Sequence, residues 1–114
     1  MVYSFLVRVS SRNVAPAANT VLADTGALAA GNYDIEVDAG ASDTVALGKH
    51  IEIQHRNAAN GANLHTFVIP TPNSNSFVWK KVAVALNERI RGQSGVIAGA
   101  ASVYTVHIIV RLSA

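Results

Sequence analysis

Residues 102–112, Ser-Val-Tyr-Thr-Val-His-Ile-Ile-Val-Arg-Leu, constrain the fold more than any other part of the chain. Tyr104, Val106, Ile108, Val110 and Leu112 alternate without interruption, as one core-facing side of a strand should. The other side carries Val103, Thr105, His107, Ile109 and Arg111, which is far from a clean polar face. An antiparallel sheet with one solvated side alternates apolar-in, polar-out. A strand that is apolar on much of both sides therefore predicts a cover on its second face as well. The cover is either a second sheet of the same chain or a sister subunit, and the alternation does not choose between them. The second reading makes Val103, His107 and Ile109 the expected subunit-contact residues.

Size and composition fit that reading. The 114 residues suffice for one core, so residues 1–114 are read as a single domain. Half of them are hydrophobic and only 14% are charged, a low charge density for a free-standing monomer. Nine basic residues against seven acidic ones leave a net charge of +2. The basic residues are scattered, and Lys80-Lys81 is the sole adjacent pair. This pattern offers no tract for nucleic acid or anionic lipid. The chain has no cysteine, which excludes disulfides, thiolate metal ligands and a cysteine nucleophile from these residues. No apolar run approaches the roughly 18 residues of a membrane helix. The opening Met-Val-Tyr-Ser-Phe-Leu-Val-Arg-Val alternates like a strand and lacks the charged region and cleavage site of a signal peptide. The expectation is a protein that acts where it is made, or on a particle assembled there, without nucleic acid or membrane as partner.

Further strands follow from the same period. Tyr3, Phe5, Val7 and Val9 alternate through the first, and residues 12–19, with Pro16, read as an irregular connection. Residues 20–24 form a short strand turned by Thr25-Gly26. Tyr33, Ile35 and Val37 point inward, with Asp34, Glu36 and Asp38 as an outward acidic ridge that is solvated or paired with a neighbour's bases. Residues 39–43 read as a turn, and 45–54 as a strand with Ile51 and Ile53 inward and a bulge at Gly48. Residues 57–63 are loop, 64–69 a strand stopped by Pro70 and Pro72, and 73–76 loop again before Phe77 and Trp79 open the next strand. Residues 82–91 carry two patterns at once. Val82, Leu86 and Ile90 are spaced as on a helix, Val82, Val84 and Leu86 as on a strand, and the neighbouring strands favour the latter. The Gly/Ala-rich residues 92–101 read as a loop before the closing strand. Some eight short strands divided by turn signals predict an all-β protein, an antiparallel sandwich or barrel.

No reaction is declared by the remaining residues. A metal site would need His50 with Glu52 on one face and His65 or His107 converging from other strands, and no close histidine pair anchors it. Asp34, Glu36 and Asp38 share a strand face rather than facing one another across a cleft, which is poor geometry for paired acid and base. Glu88, within Asn-Glu-Arg-Ile-Arg, reads as an ion-pair partner of Arg89, Arg91 or another subunit. There is no nucleophile elbow, dinucleotide fingerprint or phosphate loop. Trp79 beside Lys80-Lys81 could stack a base, but reads better as a core or interface residue at a charged strand edge. Trp79 and Tyr33 are also the candidate platforms for a sugar.

The order of segments carries a resemblance. The N-terminal strand leads to Thr-Val-Leu-Ala-Asp at 20–24, then Ala-Ala-Gly-Asn-Tyr-Asp-Ile-Glu-Val at 29–37 and Ile-Glu-Ile-Gln-His-Arg-Asn-Ala-Ala at 51–59. Leu-Asn-Glu-Arg-Ile-Arg follows at 86–91, and the closing strand ends the chain. This pattern resembles the small decoration, or cement, proteins that stud the capsids of tailed double-stranded-DNA bacteriophages. The resemblance implies a jelly-roll or related β-sandwich and a homo-oligomer, commonly a trimer, with a dimer as the alternative. It implies a place on the outer capsid surface of a virion assembled in the host cytoplasm, bridging copies of the major capsid protein. It implies no cofactor and no enzymatic activity, and no family motif assigns roles to single residues. Coat proteins of single-stranded-RNA phages are similar in size but end in helices, where this chain ends in a strand pattern. A head-fibre or tail component is a related expectation, and a carbohydrate-binding β-sandwich module is the alternative from another class.

Overall fold

A computed structural model describes residues 6–14, 19–41, 50–70, 74–95 and 103–113. Among these, eight strands form: β1 (Leu6–Val14), β2 (Val21–Asp24), β3 (Gly31–Ala41), β4 (His50–Arg56), β5 (Asn63–Pro70), β6 (Ser74–Val84), β7 (Arg89–Ser94) and β8 (Val103–Leu112). Their pairing is nested: β4 runs antiparallel to β5, β3 to β6, β2 to β7 and β1 to β8. The chain is thus one long hairpin doubled back between β4 and β5. Two further antiparallel pairings, β3 with β8 and β4 with β7, roll it into sheets of order β1-β8-β3-β6 and β2-β7-β4-β5. This is an all-β antiparallel sandwich, one of the two forms the alternation predicts, with jelly-roll strand order.

The inward sets meet between the sheets. Ile35 lies opposite Val110 and Val37 opposite Ile108, and all four are buried. Ile51, Ile53 and Ile90 close the core from the second sheet, fully buried. Each large apolar side chain removed from water in this way contributes roughly 1.5–3 kcal/mol. Tyr33 and Tyr104 are also buried, and the Tyr33 hydroxyl donates to the Ala29 carbonyl at 2.8 Å. The second sheet covers only the Tyr104 face of β8. On the other face Val103, Thr105 and Ile109 are half-buried and His107 is exposed.

Several turn readings are overturned, each where sheet pairing outweighs local composition. β1 continues to Val14 and β3 to Ala41, β6 begins at Ser74, and β7 runs on to Ser94. Residues 82–91 are neither one strand nor a helix. β6 ends at Val84, and β7 starts at Arg89 after a turn closed by Glu88 N–H donating to the Ala85 carbonyl at 3.1 Å. Asn87, third in that turn, has φ 70°, the backbone region that asparagine tolerates better than most residues. Leu112, expected in the core, is 38% exposed at the end of β8, with its Cδ2 over Gly31. Tyr3, Phe5, Pro16, Gly48 and Pro72 lie outside the described residues.

Gly92 has a specific reason to lack a side chain. It lies in β7 facing the core, where a Cβ would meet Val106 Cγ1 at 2.9 Å and Ile53 Cδ1 at 3.2 Å. Val106 and Ile53 are both fully buried. Gly92→Ala is expected to cost about 1–3 kcal/mol by overpacking. Urea unfolding will measure this, and Val106→Ala in the same chain is expected to recover part of the loss.

Candidate functional site

The outer face of the β1-β8-β3-β6 sheet holds the residues singled out by the closing strand. Ile109 sits between Arg8 of β1 and Glu36 of β3, and His107 between Ser10 and Asp38. Val78 of β6 lies beyond Glu36 and is 48% exposed. These side chains bound an open trough of about 740 Å³. Val103 shares the face but lies further along β8, outside the trough. The sheet therefore brings His107 and Ile109 together and leaves Val103 apart.

The acidic ridge forms on this face, and much of it is paired within the chain. Glu36 Oε1 lies 3.0 Å from Arg111 Nη2, and Asp34 Oδ2 lies 3.6 Å from Lys80 Nζ. Asp34 Oδ1 accepts from the Lys81 backbone N–H at 3.0 Å, and Lys81 has φ 52°. That backbone bond is the largest cause holding the Asp34 carboxyl below the usual range, with bonds to Ser113 and Lys80 adding to it against burial. Asp38 and Arg8 have no ion-pair partner among the described residues.

A second surface lies where rings of β5 and β6, edge strands of the two sheets, meet. Phe67 packs against Phe77 at 5.1 Å between ring centroids and edge-on against Trp79 at 4.7 Å. His65 meets the same indole edge-on at 5.6 Å and stacks on His55 at 5.7 Å. Such arrangements suit the quadrupoles of the rings. Trp79 is half-buried here, flanked by the exposed Lys80 and Lys81, with a hollow of about 400 Å³ beside it. Tyr33, the other candidate sugar platform, is buried in the core. Among the described side chains His55 and His65 stack while His107 is on the far sheet; the side chain of His50 lies outside the described residues.

His55 and Glu88 form a pair that the sequence reading missed. The Glu88 carboxylate reaches no arginine among the described residues; its Oε1 accepts from His55 Nε2 at 2.9 Å and from the Ala85 backbone N–H at 2.8 Å. A carboxylate only accepts, so Nε2 carries the proton. Nδ1 is then left buried with no partner. The available signal was phase: Ile51, Ile53 and His55 are alternate residues of one strand, and all three face inward.

No protein-family model matches the sequence, and no curated protein does. Among solved structures, the fold is similar to that of a chain from the Bacillus endospore appendages, described as a novel family of disulfide-linked pili. The likeness spans 96% of this chain and 88% of that one, with a TM-score of 0.54 and 13% identity. It is a likeness of fold. The present 114 residues contain no cysteine with which to form such links.

The hydrogen bonds to Glu88 set an acid limit. The Ala85 backbone bond is the largest cause holding Glu88 below its ordinary value of 4.5; burial opposes it, and the hydrogen bond and charge of His55 add to it. A carboxyl whose folded value is lowered gives stability that is complete above its unfolded value and lost as pH falls through the folded one. The stability gap between the native chain and Glu88→Gln is therefore expected to be constant near neutrality. It should shrink from about pH 4.5 downward, as measured by urea unfolding across pH 7 to 3.

Proposed function

We propose that this chain is a non-enzymatic structural subunit that works as a homo-oligomer on the outside of a phage capsid, as a decoration protein. The observation that carries the reading is the outer face of β8. Half-buried Ile109 and exposed Val78 lie there with Arg8 and Asp38, opposite charges that lack ion partners among the described residues. Two apolar side chains on either side of the Glu36–Arg111 ion pair give the mixed composition that non-obligate subunit interfaces share with the rest of a protein surface. Arg8 of one copy and Asp38 of another have the signs to pair across such an interface. Attachment through many such contacts needs no deep pocket, because multivalency multiplies weak ones.

The capsid setting rests on the sequence resemblance. The neighbouring fold in the Bacillus pili supports the broader idea of a jelly roll used as a repeating subunit, and it favours a second reading as a filament subunit. A closed oligomer and an open filament differ in whether the contact closes under symmetry.

Light scattering after size exclusion, electron microscopy and co-sedimentation with capsids test these readings. A discrete oligomer that co-sediments is expected; growing filaments would favour the second reading. A stable monomer that ignores capsids and binds a glycan array would overturn both. Ile109→Asp is expected to dissociate the oligomer while leaving the protomer folded by circular dichroism, since the side chain lies outside the core. An intact oligomer in that variant would remove this face from the interface.

A further inference from the structure

On the opposite side of the sandwich, the outer face of the β2-β7-β4-β5 sheet gathers three guanidinium groups. Arg56 of β4 stands directly across from Arg89 of β7, and Arg91 lies between Gln54 of β4 and Asp24 of β2. Like charges set directly opposite on a sheet weaken it. Among the described residues two carboxylates stand near them: Asp24, and Glu52, whose Oε1 accepts from Gln54 Nε2 at 3.1 Å. Arg89 Nη1 reaches Asp24 Oδ2 at 3.3 Å. Arg56 and Arg91 are met mainly by neutral amides. Arg56 Nε donates to Asn60 Oδ1 at 3.0 Å, and Arg91 Nε donates to Gln54 Oε1 at 2.7 Å. Arg91 Nη1 points at the same Asn60 Oδ1 from 3.5 Å, so two cations converge on one amide oxygen. Gln54 is 2% exposed, which fixes the floor of the cluster. The Nε–H of Arg89 is buried there with no acceptor.

We propose that this face is an oxyanion-binding site, in which Arg56, Arg89 and Arg91 receive a phosphate, sulfate or carboxylate group. Guanidinium forks match such oxygens in pairs, and these charge-assisted bonds are stronger than those to a neutral amide. An anion at this point relieves the repulsion between Arg56 and Arg89. The proton affinity of Arg91 is already lowered. Burial is the first cause, and the neighbouring guanidinium charges of Arg56 and Arg89 add to it, against the pull of Asp24. The site uses no residue of the Ile109 trough, so it stands or falls apart from the proposed assembly face.

The test is a titration of the ¹⁵N-labelled full chain with sodium phosphate or sodium acetate, at ionic strength held constant with sodium chloride. The arginine Nε–H resonances are the readout. Saturable shifts at Arg89 and Arg91 are expected. Saturation with phosphate alone assigns a phosphate-type ligand, and saturation with acetate as well assigns a carboxylate. Arg91→Gln should weaken binding about tenfold or more, the loss of a charge-assisted hydrogen bond. If that variant fails to fold, Arg89→Gln serves, with Arg91 as the reporter. Shifts that stay linear with both salts, or that persist unchanged in the variants, overturn the proposal.

Discussion

The pairing of β3 with β8 is the contact on which the rest of the molecule depends. It runs from Tyr33 opposite Leu112 to Ala41 opposite Tyr104 and joins the β1–β8 ribbon to the β3–β6 ribbon. Without it neither ribbon has enough breadth to bury an apolar face, because an isolated two-stranded hairpin is marginal in water. It also fixes phase. Ile35 and Val37 share the core only because Val110 and Ile108 lie beside them, and a slip of one residue would turn every one of these side chains to solvent. The outer trough inherits the same register: Ile109 meets Glu36, and His107 meets Asp38, as a consequence of how the inner face packs.

The second sheet is organised differently on its outer side. Arg56 bridges the β4–β5 turn by donating to the side chain of Asn63 and to the carbonyl of Asn60, and Asn60 has φ 56°. The turn is further closed by Asn57 Oδ1, which accepts from the Gly61 and Ala62 backbones. This is where the long hairpin reverses, and side-chain amides add to the backbone bonds from Asn57 N–H to the Ala62 carbonyl and from Asn60 N–H to the Asn57 carbonyl. Asn60 also receives Arg56 and Arg91, which the register of β4 against β7 sets near one another.

The core was largely legible in the sequence because alternation is local. Tyr33, Ile35, Val37, Ile51, Ile53, Tyr104, Val106, Ile108 and Val110 could be assigned to the inside one strand at a time, whereas Leu112 in the same phase is exposed at the strand end. Strand ends were not legible. The Ser, Gly and Asn of residues 74–76 and 92–94 have the composition of turns, and they are strand because a partner strand lies alongside, which no short window reports. His55 was missed for a related reason: its residue type argued for the surface, whereas its phase put it inside. As for the candidate surfaces, alternation alone places Val103, His107 and Ile109 on one face of β8. The neighbours that give that face its character, Arg8, Asp38 and Val78, arrive from distant segments, as do the three arginines opposite. Their meeting is a property of register.

The nested hairpin has a mechanical corollary. Leu6 lies opposite Arg111, so the two ends of the β1–β8 ribbon emerge side by side from the same edge of the molecule. Tension applied between those ends pulls across the strands and opens the ribbon one hydrogen-bonded pair after another, like a zip. A load carried through the sheet faces is shared by many contacts at once. A molecule wired in this way bears force well when gripped by its flanks and poorly when tethered by its tails.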